Sequence, residues 1–148
     1  MTDVTSEQAQ WAPAGTMQTI AATYAQALLL TGASYHSRRI PASTPLFMGE
    51  WAGKTGVSQP VSRITPEWGK TVEVDLVQAR AYGEVVFTGM TDFISNADLE
   101  TKLDLSAVGA GEQTLSWWFS LGVIGHLFVL AGQIAALKGL QGLKGDMF

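Results

Sequence analysis

An uncharged stretch of 25 residues near the C-terminal end constrains the fold of this chain most strongly. Residues 113–137 contain no Asp, Glu, Lys or Arg. As an α-helix the stretch would be about 37 Å long, which exceeds the roughly 30 Å of a bilayer's hydrocarbon core. Trp117 and Trp118 lie near one end, where indole rings favour the headgroup level, and Lys138 closes the other end. The sequence therefore predicts a transmembrane helix over residues 113–138.

Much of the chain's apolar character lies in this predicted span. The chain has 148 residues, of which 47% are hydrophobic and 15% are charged. Its net charge of −4 argues against a general nucleic-acid binder. Cysteine is absent, which excludes disulfides and thiolate metal sites. We therefore expect an extramembrane domain over residues 1–112, the span, and a short tail over residues 139–148.

The predicted extramembrane domain combines helix and sheet. Residues 16–33 show the apolar spacing of an amphipathic helix, and the proline- and glycine-rich residues 40–70 predict an irregular wrap. Alternating or β-branched residues predict three strands, at about 71–77, 82–88 and 99–108. The expected fold class is α+β: a small antiparallel β-sheet domain with an N-terminal helix and a single C-terminal transmembrane helix.

His126 is the candidate cofactor ligand. It lies near the middle of the predicted span, where an imidazole needs a hydrogen bond or a metal. Gly122 precedes it by one turn and Gly125 precedes it directly, which leaves room for a large, flat group. The sequence leaves two interpretations open: a ligand of haem or (bacterio)chlorophyll, or a structural histidine that is hydrogen-bonded to a neighbouring helix.

The sequence G-V-I-G-H at Gly122 to His126 resembles the pigment-binding helix of bacterial light-harvesting polypeptides. The resemblance implies (bacterio)chlorophyll ligation by His126, with Gly122 making room for the macrocycle. It covers one helix only. The aromatic residues of that family follow the histidine, whereas Trp117 and Trp118 precede it here. The chain is therefore not assigned to that family.

Several residues are predicted to bind other proteins or lipid. Gly132 and Ala136 have the four-residue spacing that lets helices approach closely in a membrane, and Gln133 can add an interhelical hydrogen bond. A basic cluster after the first helix could contact lipid phosphates or a partner's carboxylates, or could simply be a solvated helix end. The predicted interaction residues are Gly132, Ala136, Gln133, Trp117, Trp118, Arg38 and Arg39.

The sequence gives no sign of catalysis. There are two histidines and no cysteine, and the carboxylates show no readable acid/base or metal-ligand spacing. We therefore expect a non-catalytic, single-span accessory subunit of a larger integral-membrane complex, respiratory or photosynthetic. Its partners would be other membrane subunits and the lipid bilayer, without nucleic acid. The alternative is a self-assembling virion or filament subunit, with the C-terminal helix buried between copies.

The predicted orientation places the N-terminal domain in the cytoplasm. The lysines after the span favour a cytoplasmic tail by a small margin. However, no signal peptide precedes the 112 residues, and a short tail is typical of tail-anchored proteins.

Overall fold

The computed structural model describes residues 3–15, 18–39 and 44–145. Short 3₁₀ turns lie at Leu46–Met48 and Ser106–Val108. In chain order, the helices and strands are α1 (Ser6–Gln10), α2 (Ile20–Arg39), α3 (Pro66–Thr71), α4 (Leu76–Asn96), β1 (Lys102–Asp104), β2 (Glu112–Thr114) and α5 (Leu115–Leu140).

Helix α2 lies at the centre of the fold. Most of its residues are buried, because α4 packs on one side of it and α5 on another. At its N-terminal end, Thr19 Oγ1 accepts a 2.9 Å hydrogen bond from the backbone N–H of Ala22. A helix was predicted over residues 16–33. The observed helix ends later, at Arg39, and the predicted first residue lies outside the described ranges.

Small residues let α4 run close beside α2. A Cβ atom built on Gly32 of α2 would lie 2.7 Å from the Tyr82 hydroxyl oxygen. One built on Gly89 of α4 would lie 2.5 Å from the Tyr35 hydroxyl oxygen. In both contacts the residue of α4 follows the residue of α2 by about 50 positions. Because this separation stays nearly constant along the pair, the two helices run parallel. Larger side chains at these glycines would push α2 and α4 apart.

The prediction of a strand at residues 82–88 is wrong, because these residues form the middle of α4. Their β-branched and aromatic composition favours a strand, but buried residues recur at helical spacing at Ala79, Tyr82 and Val86. Asp75 caps the helix, since its Oδ1 accepts two backbone N–H hydrogen bonds, at 2.9 and 3.2 Å. Helical spacing and capping therefore outweigh strand propensity here.

The prediction of a strand at residues 71–77 is also wrong, although its alternation is real. Val72, Val74 and Leu76 are buried and the residues between them are exposed. The extended backbone is only a short link between α3 and α4, however. Val74 makes one isolated antiparallel bridge with Val57, and no longer ladder forms here.

In the part of the chain that the structure describes, the sheet is a two-stranded hairpin. Strands β1 and β2 pair in antiparallel orientation, with Leu103 opposite Gln113. The predicted strand over residues 99–108 is thus shortened to β1 and followed by a 3₁₀ turn. The fold combines helices with a small antiparallel sheet, as predicted, but the predicted three-stranded meander is wrong because α4 replaces most of it.

The wrap between α2 and α3 packs on the chain's own helices. Residues 44–65 contain no helix or strand longer than the 3₁₀ turn, as the prolines and glycines predict. The prediction is wrong for residues 66–70, which belong to α3 because Thr65 caps a helix that starts with Pro66, and residues 40–43 lie outside the described ranges. Phe47 is buried in the core, and the Trp51 ring centroid lies 5.5 Å from that of Tyr82. These contacts bury aromatic rings that would otherwise face water.

Candidate docking face and interhelical site

Helix α5 is long and apolar enough to cross a membrane. It has 26 residues, or about 39 Å at 1.5 Å per residue. Thr114 caps it, since its Oγ1 accepts a 3.1 Å hydrogen bond from the backbone N–H of Trp117. Only 17% of its most apolar window is buried against the rest of the chain. The core helix of a soluble domain is typically far more buried, so α5 has an open apolar side.

A π-helical segment forms the second and third turns of α5, from Trp118 to Gly125. Segments of this kind are rare and change the direction of the side chains that follow. Gly122 lies beside the Trp118 ring, and a Cβ atom at this glycine would be 3.2 Å from the indole. The glycine thus gives the indole space.

Contacts at both ends hold α5 against the rest of the chain, and α2 runs antiparallel beside it. At one end, the Arg38 guanidinium carbon lies 4.9 Å from the centroid of the Trp118 ring. At the other end, the Lys138 ammonium forms an ion pair with Asp3. Gln141 Nε2 also donates a 3.0 Å hydrogen bond to the backbone oxygen of Gln8. The sequence alone did not indicate the two contacts at the Lys138 end, because they join residues over 130 positions apart.

The Asp3–Lys138 ion pair should weaken at acidic pH. The hydrogen bond from Lys138 is the main cause that holds the pKa of Asp3 below its usual value. A carboxyl group with a lowered pKa stabilises the folded state above its unfolded-state pKa, and this stabilisation is lost as the pH falls through the folded-state value. Between pH 5 and pH 3 we therefore expect Asp3→Asn to lose less thermal stability than the unmodified chain. Thermal unfolding measured at both pH values checks this, and equal losses in the two proteins would contradict it.

The outer face of α5 carries the exposed large apolar side chains of this helix. Leu121 and Leu140 are each 60% exposed, and Phe128 and Val129 are each 57% exposed. Ile124 is 40% exposed. They span most of the helix length, and contiguous exposed apolar patches typically mark protein or membrane contacts.

Two of the predicted small interaction residues lie on this outer face. Gly132 and Ala136 are both exposed, and a Cβ atom built on Gly132 would meet nothing within 4 Å. Their predicted interhelical contact is therefore not made with another helix among the described residues. We define the outer face by Leu121, Ile124, Phe128, Val129, Gly132, Ala136 and Leu140.

His126 lies on the opposite side of α5, against α2. It lines two cavities, one of 410 Å³ that also includes Gln133 and one of 250 Å³ that also includes Trp118 and Gly122. Its Nε2 atom is enclosed and makes no hydrogen bond within the described part of the chain. The interhelical hydrogen bond considered from the sequence is thus not seen at this atom.

The space beside His126 is divided between the two cavities in this packing. The two cavities are separate, α2 packs along α5, and neighbouring atoms enclose Nε2. Cofactor binding at His126 thus stays a prediction.

The remaining predicted interaction residues lie at the Trp118 end. Trp117 and Trp118 are half-buried at the start of α5. Arg38 is half-buried against Trp118, and the side chain of Arg39 lies outside the described atoms. Arg38 and Trp118 are thus in contact with each other, whereas Gly132 and Ala136 lie elsewhere, on the outer face.

The described residues contain no group of three or more His, Cys, Asp or Glu side chains that could hold a metal ion. Comparisons of the chain with protein families, with curated proteins and with solved structures find no match. The case for function therefore depends on the geometry of α5 and of the helices beside it.

Proposed function

We propose that the chain is a non-catalytic, single-span accessory subunit of a larger integral-membrane complex. The observation that carries the proposal is the outer face of α5: an uncharged helix long enough to span a bilayer exposes large apolar side chains along most of its length. In water such a face would cost roughly 25 cal/mol for each Å² of exposed apolar area. Covering it with lipid or with an apolar protein surface removes this cost.

The helices behind α5 restrict how the bundle can lie in a membrane. Gly83 of α4 packs against Leu28, and neighbouring Gln26 lines the same cavity as His126. Arg80 and Glu84 on α4 therefore lie near the depth of His126, in the middle of α5. A charged side chain at the bilayer centre costs about 2.5–3.5 kcal/mol. We therefore place the α4 side against protein or water and the outer face of α5 against hydrocarbon or a partner's apolar helix.

An accessory subunit at the edge of a membrane complex commonly needs one surface that contacts lipid and a second surface that contacts the core subunits. The outer face of α5 would anchor the subunit, while the wrap would contact the core subunits. In this proposal the host is an energy-converting complex. The proposal assigns no chemistry to His126.

The charges on α4 also favour a second candidate, a self-assembling structural protein. A bundle that is apolar on one side and charged on the other can bury its α5 face between identical copies without any lipid. Such an assembly would form in aqueous buffer, whereas a membrane subunit would require detergent.

Extraction behaviour distinguishes the two candidates. We expect the native protein to sediment with membranes, to resist alkaline carbonate, and to enter detergent extracts together with other membrane proteins. A homogeneous polymer that forms and stays soluble without detergent would overturn the membrane proposal and support self-assembly. Release by carbonate alone would also contradict a spanning helix.

A further inference from the structure

We propose that Arg38 and Trp118 form a binding site for the phosphate group of a zwitterionic membrane phospholipid. The inference deepens the proposed function and rests on it, because it names the lipid that the Trp118 end of α5 contacts. It concerns the end of the α2–α5 pair, whereas the proposed function depends on the outer face.

The first observation is a stacked cation without an anionic partner. The guanidinium of Arg38 lies over the Trp118 ring, and the described residues offer Arg38 neither an ion pair nor a hydrogen bond. A half-buried cation in this state gains from an anion that it can hydrogen-bond. Stacking on the indole holds the guanidinium plane in place, so little side-chain entropy is lost when an anion binds.

The second observation is a pair of buried N–H donors in the same contact. Arg38 Nε and Trp118 Nε1 are both enclosed and have no acceptor among the described residues. Neither atom can accept a hydrogen bond, so an occupant must bring oxygen acceptors. A phosphodiester supplies acceptors and negative charge together.

The location matches the level of lipid headgroups. Trp118 lies in the first turns of α5, with the half-buried indole of Trp117 beside it. Indole and guanidinium groups at one end of an apolar span are typical of the membrane interface. The start of α5 also provides the positive end of a long helix dipole, which favours a nearby anion.

Nearby carboxylates determine which class of phospholipid suits the site. The loop after α4 reaches the start of α5, because Leu99 O accepts a 2.9 Å hydrogen bond from the backbone N–H of Ser116. Asp92, Asp98 and Glu100 on these elements are exposed. These charges repel a strongly anionic bilayer, whereas they can pair with the ammonium group of phosphatidylethanolamine or phosphatidylcholine.

Native mass spectrometry of the full chain, purified in detergent with added phosphatidylethanolamine, tests the site. We expect the unmodified chain to retain one lipid, and Arg38→Gln to weaken this retention about tenfold, as loss of a charge-assisted hydrogen bond implies. Arg63→Gln, on an exposed arginine of the wrap, is the matched control and should retain the lipid. Trp118→Phe keeps an aromatic ring under Arg38 but removes the N–H, so it should weaken retention less.

Different probes distinguish the possible sources of the phosphate. Diacylglycerol, which lacks the headgroup, should not be retained, and phosphatidylglycerol should bind more weakly than phosphatidylethanolamine. Displacement of the lipid by millimolar inorganic phosphate would show a general anion site and overturn the lipid assignment. Equal retention by Arg38→Gln and the unmodified chain, or retention of diacylglycerol, would also overturn it. A chain that never sediments with membranes would instead refute the proposed function, so the two failures are distinguishable.

Discussion

Replacing Val129 with arginine is expected to remove the chain from membranes and from its complex. Val129 lies close to the centre of α5 and is 57% exposed on the outer face. An arginine at the centre of a spanning helix costs about 2.5–3.5 kcal/mol, which corresponds to roughly a 70- to 400-fold loss in partitioning. The measurement is the fraction of the variant that sediments with membranes and co-purifies with the host complex.

Val77→Arg is the matched control for this variant. Val77 is 76% exposed on α4, so it is also an apolar residue on a helix surface, but it lies away from the outer face. We expect Val77→Arg to fractionate like the unmodified chain. If the two arginine variants fractionate alike, the outer face of α5 is not the docking surface.

Replacing Tyr82 with alanine is expected to give the largest loss of folding stability. Tyr82 is fully buried where α4 meets α2, beside Gly32 and Trp51. Truncating a buried aromatic side chain typically costs about 3–5 kcal/mol, through lost burial and the cavity that remains. Chemical denaturation monitored by circular dichroism would measure the loss.

Tyr82→Phe, unlike Tyr82→Ala, should not lower the free energy of unfolding. The Tyr82 hydroxyl is buried and makes no hydrogen bond within the described residues, and burial raises the pKa of this hydroxyl. Removing it deletes an unsatisfied polar group while the ring stays in place, so we expect no loss of stability, or a gain of about 1 kcal/mol. A loss of more than about 1 kcal/mol would show that the hydroxyl has a partner and that this description of the α2–α4 contact is wrong.

The elements that the sequence predicts best are those with strong local signals. The uncharged run ending at Leu137 becomes α5, because no charge interrupts it and Thr114 caps its start. The breakers between α2 and α3 likewise produce an irregular segment. In both places a property of neighbouring residues decides the backbone.

The predictions fail where helical and strand periods compete. Residues 82–88 contain β-branched and aromatic residues, but α4 forms because apolar residues recur from Leu76 to Val86 at helical spacing and Asp75 caps the first turn. A search for this spacing over a longer window would have found the helix. The alternation at residues 71–77 is a true burial pattern in a segment too short to form a ladder.

The candidate site is only partly visible in the sequence. The spacing of Gly132 and Ala136 identifies small residues that the structure places on the outer face. By contrast, the contact between Arg38 and Trp118 joins residues 80 positions apart and depends on the antiparallel packing of α2 on α5. The sequence predicted Arg38 and Trp118 as interaction residues one by one, but local patterns carry no information about a contact between them.

Cysteine labelling in native membranes tests the central claim about α5 most directly. The chain has no cysteine, so single cysteines at Phe128, Gly132 and Val77 report without background. We expect a membrane-impermeant maleimide to label Val77→Cys in opened membranes and to leave Phe128→Cys and Gly132→Cys unlabelled until detergent denatures the complex. Rapid labelling of Phe128→Cys and Gly132→Cys in the same opened membranes, at the rate of Val77→Cys, would show that the outer face meets water and would contradict the account.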